Sequence, residues 1–410
     1  MARCARTSIL RSAATPRSAS HPREASDLNR RIVAPLLVVV VVAVGVIAAS
    51  ALGGVGIAGP HAVTAPIVGA DSSSRGTPSA SLSPSAAPSL SPSPAPSPTP
   101  ILVAGPLDGL PITPQQALIH PIAVMIDDLA PARPQAGFSA ASVVWQAPAE
   151  GGIPRYMLIF QEGLPGDVGP VRSARYYFIA WAAEWHALYV HAGGSPQALS
   201  TLYSKGSGQL VYNADQFANG PFFRRVSSRY PPHNLYTTGA QLRQLATKLG
   251  ATAPPPAAAW RFGPDTPLAA RPLGGSIEVD YPANRIIYRY DQATNSYDRY
   301  VSGGVLQIDP GSNAVVAPKN IIVMRMVFGP LNDGEPLKGR LEANVVGSGT
   351  AWIATGGITI KGTWRKTSLT APTRFYDANG NEVVLTAGQT FVQVMETTDP
   401  VKIVAGTPPA

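Results

Sequence analysis

The sequence predicts an α+β protein: an N-terminal mixed α/β domain over residues 105–250, followed by a small, mostly antiparallel all-β domain over residues 273–397. Three observations predict it. Between residues 105 and 250, short continuous apolar runs alternate with stretches of helical spacing, the pattern of a layered sheet with helices. The stretch ATAPPPAA at 251–258 interrupts that pattern and opens an expected linker, residues 251–272. Beyond it the apolar period becomes mostly two, with hairpin turn signals at Asp291 to Asn295 and at Asp377-Ala-Asn-Gly380, where the Asn-Gly step supplies positive φ.

Before residue 105 the chain reads as tether rather than domain. Residues 1–31 carry seven Arg against Glu24 and Asp27, so this leader holds +5 of the chain's net +8. An uninterrupted apolar run follows from Ile32 to Leu52. As a helix rising 1.5 Å per residue it would reach roughly 30 Å, the thickness of a bilayer core. Pro35 falls in its first turn, where no hydrogen bond is lost. The upstream arginines place the N-terminus in the cytoplasm and the body outside. The alternative is a signal peptide cleaved near Ala49-Ser50-Ala51, with the body secreted. Residues 53–104 form an expected disordered stalk, almost entirely Ser, Pro and Ala from 71 to 100. Its prolines favour extended polyproline II at about 3.1 Å per residue, suited to a spacer or an O-glycosylated stalk.

The body's elements follow in order. Ile122-Ala-Val-Met-Ile126 reads as a buried strand ending at Asp127-Asp128. Ser142 to Gln146 and Arg155 to Phe160 read as further strands, with Glu150-Gly151-Gly152 between them. From Gly169 to Ser195 the chain packs a turn, a nearly all-apolar helix, a strand ending at His191 and a glycine turn. Helices are expected from Pro196 to about Tyr203 and from Gln241 to Leu249, separated by a loop-rich stretch. In the β half, strands are expected at 276–280, 285–290, 320–327, 351–354, 357–364 and 390–395. Residues 398–410 read as a frayed tail.

PIAVMIDDLAPARPQAGFS at 121–139, EGG at 150–152, GPVRSARYYF at 169–178 and YVHAGGSPQA at 189–198 resemble the YerB-like family of bacterial lipoproteins. So do PHNLYTT at 232–238, VGSG at 346–349 and PTRFYDANG at 372–380. The resemblance spans about residues 105–397. It implies an envelope-associated protein with an N-terminal domain and a C-terminal β domain, and it implies no particular reaction. Members commonly carry a lipid-anchoring cysteine. Here no cysteine follows the apolar run, which departs from that pattern and exchanges one anchor for another.

The residues also bound the chemistry. From Ile101 onward the balance is only +3, with no basic stripe interleaved with aromatics, so a nucleic-acid partner is not expected. Cys4, in the leader, is the only cysteine, so the body has neither disulfide nor thiol chemistry. H-E-x-x-H, G-x-S-x-G, S-x-x-K and P-loop signatures are absent, and no metal or cofactor is expected. Asp127-Asp128 after a strand resembles metal-dependent polysaccharide deacetylases, but their H-x-x-x-H pair is missing, His186 and His191 being five apart.

Arg172 and Arg175 stand at the entrance of the apolar helix, where the helix dipole disfavours cations by a few tenths to about 1 kcal/mol. They require counter-charge. Asp167, Glu150 or Asp127 would supply it internally, or a carboxylate or phosphate ligand would supply it from outside. Ser195-Pro196 reads first as N-cap and first helical residue, while Gly193, Gly194 and Ser195 could also present backbone N–H groups to an anion. His191 would line the crevice at a strand's carboxyl end. His233-Asn234, framed by Pro231-Pro232, is a second positioned candidate or a loop anchor.

Two functions are expected. In the first, a non-enzymatic envelope protein binds an anionic group on a cell-wall polymer or envelope protein through Arg155, Arg172, Arg175 and His191. In the second, a cell-wall glycan or peptide hydrolase uses Glu150 or Asp127 as acid/base with His191 assisting.

Overall fold

The computed structural model describes residues 101–409; the basic leader, the apolar run Ile32–Leu52 and residues 53–100 of the expected stalk lie outside them. Among the described residues no helix is long and apolar enough to cross a membrane.

The first half contributes strands β1 (Ile122–Asp127), β2 (Val143–Pro148) and β3 (Pro154–Phe160), helix α1 (Tyr176–Ala183), β4 (Leu188–His191), α2 (Pro196–Lys205), β5 (Tyr212–Asp215) and α3 (Gly239–Lys248). The second half begins with β6 (Ser276–Tyr281), β7 (Asn284–Asp291), β8 (Ser296–Val301) and β9 (Val305–Leu306). It continues with β10 (Asn320–Met326), β11 (Gly347–Thr355), β12 (Ile358–Lys366), β13 (Arg374–Tyr376), β14 (Thr390–Glu396) and β15 (Val401–Val404). The protein is mostly sheet with few helices. The mixed character of the first half and the β character of the second match the expected class.

The halves do not form separate sheets. A ten-stranded mixed sheet runs β13-β12-β11-β10-β14-β2-β3-β1-β4-β5 across both. Its seam is a parallel pairing of β14 with β2, from Thr390 opposite Val143 to Gln393 opposite Gln146. The strands of the second half are thus divided between this shared sheet and a sheet of their own. β9-β8-β7-β6-β15 make a separate five-stranded sheet, antiparallel throughout. An unpaired β2 edge would leave buried backbone groups unsatisfied, and β14 satisfies them.

The central sheet is covered on both faces, which explains why its strands read as continuous apolar runs. On one face Ala123, Met125, Trp145, Ile322 and Val392 pack against α1 and α2. On the other Ile122, Val124, Val144, Ile321 and Phe391 pack against α3 and the five-stranded sheet. Helix α1 buries seven of its eight residues, as its all-round apolar character requires. Trp181 stacks on Trp145 with ring centroids 4.6 Å apart. Between the sheets a fully buried Arg299 donates to the Tyr156 and Tyr288 hydroxyls and to Gln146. Gln146 and Asn284 in turn donate to buried Asp128. This network joins the two layers by satisfying charges neither could bury alone.

Two boundary segments also differ from expectation. Within 251–272, read as a linker, Arg261–Gly263 pairs in parallel with Val384–Thr386, and buried Trp260 donates to the Thr373 carbonyl at 2.8 Å. Within 398–410, read as a frayed tail, β15 closes one edge of the five-stranded sheet against Ser276 to Val279. The segment is short, and its tie to the fold is a tertiary pairing that local composition does not encode.

Candidate functional site

The site sits where β1 ends and β3 begins, beside the chain entering α1. Asp127 is the last residue of β1 and pairs in register with Arg155 on the antiparallel neighbour β3. The segment 169–175 runs alongside β1: Val171 bridges Ile126, and the Arg172 amide donates to the Met125 carbonyl at 2.8 Å. Arg172 thus precedes the helix, and Arg175 is its N-cap, in extended conformation and without a side-chain cap bond. Glu150 projects from the turn between β2 and β3, where Gly151 and Gly152 have φ of 64° and 71°. At Gly152 an added Cβ would lie 2.7 Å from Pro282, so only glycine allows this approach.

These residues, with Lys338 and Arg340, line one cleft of about 370 Å³. Arg155, Arg172, Arg175 and Glu150, with Asp127, come together as expected, and Gly194 contributes to the lining. The internal counter-charge is Glu150, which accepts from Arg155 at 3.1 Å and contacts the Arg175 guanidinium. Asp127 lies 3.1 Å from Arg172 Nε, without the alignment of a hydrogen bond. Asp167, the third expected partner, pairs instead with Arg224 at 2.6 Å.

The cations remain under-compensated. Burial pushes Arg175 down to about 10 and moves Arg155 and Arg172 in the same direction. The Nε atoms of Arg172 and Arg175 are buried with no hydrogen-bond partner among the described residues. Five cationic side chains face the cleft against two carboxylates. Arg340 is separately held by Asp333 at 2.6 Å and Glu335 at 2.8 Å, whereas Lys338 has no carboxylate within 4 Å among the described residues.

The remaining candidates take structural positions. His191, expected in the crevice, is fully buried away from the cleft: Nδ1 meets the Gly193 carbonyl and Nε2 meets Asn213 Oδ1, both at 2.8 Å. The Asn213 contact holds its ring beside β5. Ser195 caps α2, its hydroxyl accepting from the Ala198 amide at 3.3 Å, with Pro196 at the first helical position. The Gly193 amide is taken by Asp215. Asn234 anchors its loop through Arg225 and the Val226 carbonyl. His233 does reach the site indirectly, its Nδ1 lying 2.7 Å from Asp127 Oδ2. Sequence reasoning missed Lys338 and Arg340. They stand on a polar loop between the paired strands Phe328–Pro330 and Leu341–Ala343, where isolated charges carry no local signal.

Residues 107–252 match the N-terminal domain, and residues 277–392 the C-terminal domain, of the family described as "Protein of unknown function (DUF3048)". The chain belongs to this family. It is 29% identical over 314 residues to "Putative lipoprotein YerB" of Bacillus subtilis (strain 168), covering 73% of this chain and 88% of that protein. A crystal structure of the Bacillus subtilis YerB protein matches with a TM-score of 0.66 at 27% identity, covering 74% of this chain and 99% of that one. The YerB-like resemblance read from the motifs is thereby established. The segments EGG and GPVRSARYYF, within the matched residues 107–252, supply Glu150, Arg172 and Arg175 to the cleft.

Proposed function

We propose that this protein is an envelope protein held outside the cytoplasm at the cell membrane, and that its cleft binds an anionic group of a cell-wall polymer or protein partner. The membrane location is supported by the lipoprotein relative and by the basic leader preceding the Ile32–Leu52 run. One observation carries the binding assignment: Arg155, Arg172, Arg175 and Lys338 line the cleft against Asp127 and Glu150, while Arg340 is paired with Asp333 and Glu335. An anion entering the cleft would offset part of its uncompensated positive charge.

The hydrolase reading finds less support. Its assisting His191 lies outside the cleft. Glu150 is already engaged by Arg155 and Arg175, which leaves its lone pairs poorly placed for proton transfer. The test is retention of the detergent-solubilised full chain on purified wall material. Arg172→Ala is expected to abolish retention while the melting temperature stays nearly unchanged. Undiminished retention by the folded variant would sink the assignment.

A further inference from the structure

At its β13 end the ten-stranded sheet leaves a strand edge open. β12 pairs with β11 along its whole length, but on its other edge β13 covers only residues 363–365. Outside the β11 ladder, no hydrogen bond reaches the backbone of residues 358–361 among the described residues. The chain leaving β13 turns at 377–381, returns beside Tyr376 at Glu382 and continues as Val384–Thr386, which pairs with Arg261–Gly263 rather than with β12. It closes on the end of β11 where the Thr386 amide donates to the Thr355 hydroxyl at 2.9 Å. Between the two closures lies a groove of about 460 Å³ that shares no lining residue with the arginine cleft.

The lining specifies what fits. Unpaired N–H and C=O groups along a strand edge are a template for another strand, and four such residues span about 13 Å. Ile358 and Ile360, two apart and so on one face of β12, line the groove together with Val384. Ile358 is 55% and Val384 45% exposed, apolar surface that an added strand would cover. At the Glu382 end, Asp377 accepts only from Asn379 and Asn381 and has no cationic partner among the described residues, whereas Glu382 is held by Arg374 at 2.6 Å. An extended peptide meets all three features. Its backbone completes the edge, alternate apolar side chains reach the isoleucines, and a lysine or arginine reaches Asp377. We propose that this groove docks an extended peptide of a protein partner by strand addition to residues 358–361, with a basic side chain at Asp377. The assignment is independent of anion binding in the cleft.

The experiment follows backbone hydrogen exchange of the detergent-solubilised full chain with millimolar Ac-KVTVT-NH2. Exchange at residues 358–361 should slow about threefold or more, with the cleft segment 169–175 unchanged. Two proline versions, Ac-KPTPT-NH2 and Ac-KVPVP-NH2, each remove one alternate set of backbone donors. Only the set facing β12 is needed, so one version should bind about tenfold more weakly than the parent peptide. Ac-EVTVT-NH2 should bind about threefold more weakly than the lysine peptide, and Asp377→Asn, which keeps an acceptor for Asn379 and Asn381, should remove that difference. Amides at 358–361 protected before any peptide is added would mean that a second copy or another segment of this chain fills the groove, and would overturn the proposal. So would absence of binding at millimolar peptide, protection elsewhere, or equal binding by all four peptides.

Discussion

Lys366→Met tests the joining of the two halves. Lys366 ends β12 in the second half, and Glu184 is the C-cap of α1 in the first. Both side chains are 0% exposed, and Nζ lies 2.7 Å from Oε1. Thr373 completes the site, its amide donating to Glu184 Oε2 at 3.0 Å and its hydroxyl to Oε1 at 2.6 Å. Methionine keeps the unbranched stem and deletes only the ammonium, leaving the carboxylate buried with Thr373 alone. Loss of one partner from a buried pair costs about 3–5 kcal/mol. Urea unfolding, followed by fluorescence of the buried Trp145, Trp181 and Trp185, should show that loss in a single transition with unchanged slope. Adding Glu184→Gln should recover more than about 2 kcal/mol, because the amide oxygen still accepts from Thr373 without carrying charge. A loss below about 0.5 kcal/mol for Lys366→Met, or two separated transitions, would refute the interlocked fold.

Arg172→Ala should cost less than about 1 kcal/mol, since Asp127 keeps His233 and the Leu129 amide, whereas Arg175→Ala, which empties a 95% buried position, should cost about 2–3 kcal/mol in thermal melts. Gly152→Ala combines a left-handed φ of 71° with contact against Pro282; about 2 kcal/mol should be lost in urea unfolding. The Thr294 hydroxyl, 2.7 Å from Asp291, holds that carboxyl below its ordinary value. Because the folded value is the lower one, this stabilisation is complete above the unfolded value near about 4 and fades as pH falls through the folded value. Thr294→Val should therefore lose about 0.5 kcal/mol at pH 7, discounted for solvent screening, and match the parent near pH 2.

Much of this protein was determined by local sequence alone. Buried strands announced themselves as apolar runs, so Ile122–Asp127 and Asn320–Met326 fall within a residue or two of expectation. Ser195-Pro196 capped its helix as its side-chain chemistry requires. Arginines in an apolar context also stood out, because a charge there needs a partner, and Arg155, Arg172, Arg175, Glu150 and Asp127 do meet. Tertiary structure decided the rest. Strands of three or four residues, such as Arg374–Tyr376 and Val401–Val404, are too short for a period to register. The parallel seam between Val143–Pro148 and Thr390–Glu396 has no connecting turn to mark it. His191 shows the same limit: one strand end offers two faces, and only pairing with Tyr212–Asp215 sent its ring to Asn213 rather than into the cleft. Lys338 and Arg340 became cleft residues because the second half folds back over the first, a nonlocal event that no window of sequence contains.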